Sequence, residues 1–404
     1  MSTALPYEFR STPGIALYAE PYVASAVATH FSVEDPNLRH VPSTTLSVYE
    51  SDENRVEIGP AFSMDTPGSF TPQRFMAGEA LSHCIGRYFY LKDIVVPQPY
   101  QVTHDERFRS GAPYDSRVYV VENGRQAHAA VVMNKAPGET LTGYNPATGR
   151  TDLTDGMLEQ IATAQAAIHT FSGPDKSNGD LRNHQRVSDT DLWRRYGQAI
   201  SGIMARRPPI GEHDKDNFID RNLRPTPYED VDIYQLPAVD FAIGYTDDMW
   251  HKGKLPQSLV PTNMTLDSIR VMGQDITGIT DLTHGAQIAP RIVDAAGMAW
   301  SIFERSGPTL TDRIQSVETY MDAYFSKLTN PAPKIVERRA WRDFVVIQGA
   351  LAWHKARLQS AEAAHPKAQL VLDYLDQPHF TEDTVRNQYM AAVDDIKLQR
   401  LLGN

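Results

Sequence analysis

The sequence predicts an α+β fold: a small β-sheet region carrying one helix near the N-terminus, then a larger and mainly helical remainder. Three observations predict it. Alternating or β-branched runs recur up to Met133 and once more between Ile269 and Ile279. Apolar residues from Ser316 onward repeat instead at helical spacing, as in Val317, Tyr320, Met321, Tyr324 and Phe325. The 404 residues, 41% hydrophobic and 9% aromatic, are enough to bury one or two cores and suit two lobes of unequal size.

Taken in order, Val23, Val27 and Phe31 give residues 21–31 a helical face, and strands follow through Ile58. Residues 61–70, rich in Ser, Pro and Gly, read as a loop. Thr71-Pro72 is a helix start, because Thr caps and Pro fits a first turn. Ala77, Ala80, Leu81, Cys84, Ile85 and Tyr88 then repeat at three to four. A Gly- and Pro-containing loop at 107–117 leads to the strands Tyr119-Val120-Val121 and Ala130-Val131-Val132-Met133. Leu158, Ile161, Ala164 and Ile168 mark a helix over 153–171. A polar stretch at 173–180, a helix over 191–205 and a segment at 208–237 heavy in Asp, Asn, Arg, Pro and Tyr follow, the last read either as a lid or partner surface or as a plain connector. Helices are expected over 316–328, 335–361, 368–375 and 381–402, with aromatic stripes that serve packing.

Between these halves, Leu259-Val260-Pro261 leads into a polar loop, a β-type run at Ile269 and Val271, a turn at Gly273-Gln274-Asp275 and a second run from Ile276 to Ile279. This is a hairpin that delivers Asp281.

Composition removes several function classes. A net charge of −11 argues against nucleic acid, whose affinity comes from Lys and Arg neutralising phosphates. The single cysteine, Cys84, allows no disulfide framework and suits a reducing compartment as a buried apolar residue. No run of eighteen apolar residues occurs and Met1–Arg10 lacks a signal-peptide pattern, so a cytoplasmic protein off the membrane is expected. There is no H-E-x-x-H, paired C-x-x-C, G-x-S-x-G or G-x-G-x-x-G, which removes zinc, esterase and dinucleotide readings.

Residues 259–282 resemble the catalytic hairpin of the aminoglycoside phosphotransferase family, small-molecule kinases of the protein-kinase-like fold. There H-G-D-x-x-x-x-N precedes a strand, and a second metal-binding Asp follows. Laid over that pattern, Pro261, Thr262 and Asn263 stand for His, Gly and the catalytic Asp, Ser268 stands for the metal-binding Asn, and Asp281 keeps the second Asp. The resemblance continues elsewhere. Asn134-Lys135-Ala136-Pro137-Gly138-Glu139-Thr140-Leu141 is similar to the interlobe hinge, and His169 closes the next helix as L-x-x-L-H does, with Gln165 for the first Leu. Glu79 lies where the N-lobe helix has its glutamate, and Asp294 is the counterpart of a structural Asp that steadies the catalytic loop. The strand residue expected to be Lys is Glu57, with Arg55 two positions away as a substitute cation.

The resemblance implies an N-lobe over 1–133 with a helix around 72–91, a hinge over 134–141, and a helical C-lobe over 142–404 holding the hairpin 259–282. It also implies a degenerate, pseudokinase-like member. Asn263 cannot serve as a carboxylate base, and Ser268 is a poorer hard-cation ligand than Asn. No cofactor is therefore expected, with ATP and magnesium both doubtful. Glu79 and Ser268 are degenerate cofactor positions, and Asp281 would hold a metal only if one is bound. Asp281, His284 and Asn263 form the local polar set, His284 being a candidate proton acceptor for chemistry without magnesium. The expected activity is binding of, or non-phosphoryl chemistry on, a small molecule or peptide in a biosynthetic pathway such as natural-product or peptide modification. A non-catalytic pseudokinase that positions a partner enzyme, and a divergent active phosphotransferase, are the alternatives.

Overall fold

Ser47-Val48-Tyr49-Glu50 and Asn54-Arg55-Val56-Glu57-Ile58 pair antiparallel across a turn that Ser51 closes. Its Oγ accepts the N–H groups of Asn54 at 3.0 Å and Glu53 at 3.3 Å. The computed structural model describes residues 8–10, 37–41, 47–58, 62–63, 81–82, 85–86, 88–98, 118–122, 126–171, 236–251, 255–261, 264–282, 286–328 and 335–380. Within these, strands β1 (Glu8–Arg10), β2 (Arg39–Val41), β3 (Ser47–Glu50), β4 (Asn54–Ile58), β5 (Phe62–Ser63), β6 (Val118–Glu122) and β7 (Gln126–Asn134) form one sheet in the order β1-β6-β7-β4-β3-β2, with β5 also on β7. Only β1 joins in parallel, along β6.

Strand parity decides what the sheet presents. Arg55 lies opposite Glu50 and Met133, and Glu57 opposite Val48 and Val131, so one face of β3 and β4 carries Glu50, Arg55 and Glu57. The other face carries Tyr49, Val56, Ile58 and Val132, each fully buried. Alternation thus gives one strand an apolar side and an ionic side, both buried.

After β7 the chain makes β8 (Glu139–Thr140), a small hairpin of β9 (Tyr144–Asn145) and β10 (Arg150–Thr151), and helix α1 (Asp155–Phe171). Leu158, Ile161, Ala164 and Ile168 of α1 are buried, as their spacing requires, and Gln165 and His169 are buried with them. Helix α2 (Pro237–His251) had no counterpart in the sequence reading. Strand β11 (Gln257–Pro261) pairs with β14 (Ala286–Pro290) around the hairpin β12 (Ile269–Met272) and β13 (Asp275–Ile279), and β12 also pairs with β8.

The remainder is helical: α3 (Arg291–Arg305), α4 (Leu310–Lys327), α5 (Ile335–Gln359) and α6 (Ala361–Leu375). Helix α4 starts six residues before the expected 316, because Thr309 and Asp312 form a capping box in which Thr309 Oγ1 accepts the Asp312 N–H at 3.1 Å. Helix α6 begins at Ala361, seven residues before the expected 368, capped by Ser360, and runs through Pro366.

Two compact units result. One comprises Met1–Thr142, Thr163–Asp189 and Ser258–Ala289; the other comprises Gly143–Ala162, Thr190–Gln257 and Pro290–Asn404. The second has its own anchor, a fully buried pair in which Arg291 donates from Nε to Glu337 Oε1 at 2.8 Å and from Nη2 to Oε2 at 2.9 Å. The expected helices over 21–31, 191–205 and 381–402 lie outside the described residues, as does nearly all of 208–237. Among the described residues no helix is long and apolar enough to cross a membrane.

Candidate functional site

The hairpin β12–β13 has the turn its sequence specifies, with Gly273 at φ +65°. Inside it, Arg270 faces Gly278, where a Cβ would come within 2.5 Å of the Ala136 Cβ and 3.1 Å of the Arg270 Cβ. Glycine at 278 therefore lets the segment after β7 close down on β13. The chain leaves β13 through Thr280, whose N–H donates to Ser268 O at 2.8 Å, and turns at Asp281. Asp281 has φ +66°, a left-handed conformation that costs a non-glycine residue free energy and persists where the surroundings impose it.

What imposes it is a buried cluster of ions. Arg55 donates from Nη2 to Asp281 Oδ1 at 2.6 Å, from Nη1 to Glu50 Oε1 at 2.6 Å and from Nε to Glu57 Oε1 at 2.5 Å. Ser268 Oγ donates to the other Asp281 oxygen, Oδ2, at 3.0 Å, and accepts the Thr265 N–H at 3.3 Å. Arg270 reaches across from β12, donating from Nη2 to Glu50 Oε1 and from Nη1 to the Thr140 hydroxyl. Lys135 lies 3.5 Å from Glu50 Oε2 and donates to Ser51 O at 3.0 Å. Arg55 is 2% exposed and Glu57 not at all.

Three cations, Arg55, Arg270 and Lys135, thus meet three carboxylates, Glu50, Glu57 and Asp281, and the charges cancel. Cancellation matters because a buried ion left without a partner costs several kcal/mol. Burial works against the charge on Arg55, but Glu57, Asp281 and Glu50 outweigh it and hold the guanidinium above its ordinary value. Asp281 is pushed up to about 6: burial dominates, Arg55 opposes it, and the Glu57 carboxylate beside it adds to the rise. Burial also lowers Arg270, with Glu50 opposing and Arg55 adding to the fall.

Of the residues expected at the site, the structure brings together Asp281 and Ser268, and joins Arg55 and Glu57 to them. Asn263, His284 and Glu79 lie outside the described residues. On β4 the structure pairs Arg55 with Glu57. Sequence reasoning missed Glu50, Arg270 and Lys135. For Glu50 a signal existed: a tight turn between Glu50 and Asn54 forces the flanking strands to pair, and opposite charges then face one another.

A divalent metal does not fit this arrangement. Magnesium takes hard oxygen ligands at about 2.0–2.1 Å, whereas one Asp281 oxygen is covered by a guanidinium and the other accepts from a hydroxyl. Among the described residues no group of three or more His, Cys, Asp or Glu side chains is placed to hold a metal.

In overall fold the chain is similar to solved kinases. The amicoumacin kinase hAmiN, in complex with AMP-PNP, Ca2+ and Ami, is 12% identical with a TM-score of 0.53, over 91% of this chain and 96% of that one. The chain has the aminoglycoside phosphotransferase fold. A second structure, APH(2")-IIIa with GDP and kanamycin, is 11% identical with a TM-score of 0.51, over 88% of this chain and 98% of that one. No family model and no curated protein sequence matches the chain. The aminoglycoside phosphotransferase fold here is two-lobed α+β, a small sheet with a mostly helical remainder.

Proposed function

We propose that this protein uses the aminoglycoside phosphotransferase fold without magnesium-nucleotide phosphoryl transfer, and that it binds or acts on a small molecule or peptide within a biosynthetic pathway. The observation that carries this reading is the 2.6 Å bridge from Arg55 to Asp281. In kinases of related fold the strand Lys holds the phosphates and the Asp holds the metal that bridges them, so the two groups act through the nucleotide. Here they satisfy each other directly. Ser268, in the position of the second metal ligand, is likewise spent on Asp281.

The sequence supports the same reading. Asn263 offers no carboxylate to orient an acceptor hydroxyl, and Pro42-Ser43-Thr44-Thr45-Leu46, which joins β2 to β3, contains no glycine where protein kinases lay a Gly-rich loop over the phosphates. That the structural neighbours hold an antibiotic beside their nucleotide favours a small-molecule ligand.

A thermal-shift titration tests it. ATP with magnesium should leave the melting temperature of the full chain unchanged, and no γ-phosphate should reach any acceptor. Stabilisation by ATP that requires magnesium, together with phosphorylated product, would overturn the proposal. If the protein instead retains a partner enzyme with Asp281→Ala and His284→Ala both tolerated, its role is that of a non-catalytic scaffold.

A further inference from the structure

One carboxylate of the cluster is held differently from the other two. Glu50 receives Arg55 at 2.6 Å and Arg270 at 2.5 Å on Oε1, and faces Lys135 at 3.5 Å from Oε2. Three cations delivered by β4, β12 and the residue after β7 therefore converge on one carboxylate. Glu57 and Asp281 each meet Arg55, at 2.5 Å and 2.6 Å. Arg270 also carries a buried Nε–H with no hydrogen-bond partner among the described residues, and its side chain is only 5% exposed. A buried donor of that kind is costly and marks a place where an acceptor is wanted.

We infer that Arg55, Arg270 and Lys135 form an oxyanion-binding site, occupied in this structure by the protein's own Glu50 side chain, which a carboxylate or phosphate group of a ligand displaces. Charge balance favours the exchange. With Glu50 turned away, three cations face two carboxylates, Arg55 keeps both Glu57 and Asp281, and the surplus positive charge lies on Arg270 and Lys135. A single incoming anion restores neutrality and can accept from Arg270 in the forked manner that guanidinium favours. Lys135, 26% exposed along its side chain, is the solvent-facing member and gives the route of entry. Glu50 itself ends strand β3, where the Ser51 turn fixes the backbone, so an exchange of its carboxylate for a ligand's needs movement of the side chain alone. The inference rests on the proposed absence of a magnesium-nucleotide complex and names the ligand chemistry that replaces it.

The test uses the full-length protein and metal-free buffers, with orthophosphate and acetate in separate arms and sodium chloride at matched ionic strength as the control. Glu50→Ala removes the resident carboxylate and opens its space. The expected result is saturable thermal stabilisation of Glu50→Ala by one or both anions, with a midpoint at least about tenfold lower than in the wild type. Adding Lys135→Ala should weaken it. A phosphate response without an acetate response assigns the site to phosphorylated ligands, and the reverse assigns it to carboxylates. If Glu50→Ala behaves as the wild type, or rises only as it does in chloride, the inference falls. If Glu50→Ala does not fold, the wild type decides: a saturable anion response abolished by Lys135→Ala supports the site, and no such response removes it. Magnesium-dependent stabilisation by ATP would sink the proposed function while leaving these outcomes readable.

Discussion

Arg55 is the residue on which the rest of the cluster depends, because three carboxylates would share a buried space without it. Arg55→Met should lower unfolding free energy by about 3–5 kcal/mol, the cost of orphaning buried charge. Ser268→Ala, which removes one hydroxyl donor from Asp281, should cost about 1–2 kcal/mol. Urea denaturation of the two variants side by side checks the order. A second acid behaves differently. Asp343, on α5, is buried with Oδ2 unpartnered among the described residues, and burial pushes it up to about 7 against the pull of Arg342. The folded state therefore prefers the neutral acid. Its contribution is fully present below the unfolded value near 4, and is lost as pH rises toward 7. Wild-type stability should fall across that window relative to Asp343→Asn, which has no proton to lose. Equal pH profiles for the two proteins would contradict this.

At the scale of elements, how much was legible depended on whether the determining contacts were local. The hairpin β12–β13 could be read because alternation and a glycine turn specify it within a dozen residues. Helix α1 could be read because its apolar spacing is regular. Helix α2 was not read, since the run Thr246-Asp247-Asp248 breaks the apolar pattern in the sequence, and burial of Val239, Ala242, Ile243 and Met249 comes with packing of the helix on α5. Asp281 and Ser268 were legible as a pair through motif spacing. Arg270 was not, because nothing local tells a charged residue in a hairpin that its partner is 220 positions earlier. The close approach at Gly278 gives a prediction at this scale. Gly278→Ala places a methyl 2.5 Å from the Ala136 Cβ and should destabilise the protein by about 1–3 kcal/mol, read as a lowered denaturation midpoint.

For the whole molecule, the division into two compact units, each with its own buried arginine, predicts that damage stays local. Hydrogen exchange after Arg55→Met should quicken first in β3, β4 and β12. After Arg291→Met, which orphans the fully buried Glu337, it should quicken first in α3 and α5. Uniform acceleration in both variants would mean that the units open together.

The pairing of Arg55 with Glu50 across the Ser51 turn has a consequence for how the chain finds its fold. A hairpin of two half-apolar strands can slip by one residue at modest cost when both faces are greasy, and every side chain then changes sides. Here a slip would bury Arg55 among Tyr49 and Val132 and turn Val56 toward Glu57's neighbours. The penalty for that error is electrostatic and large, so the ions proofread strand alignment during assembly, whatever ligand the mature protein later receives.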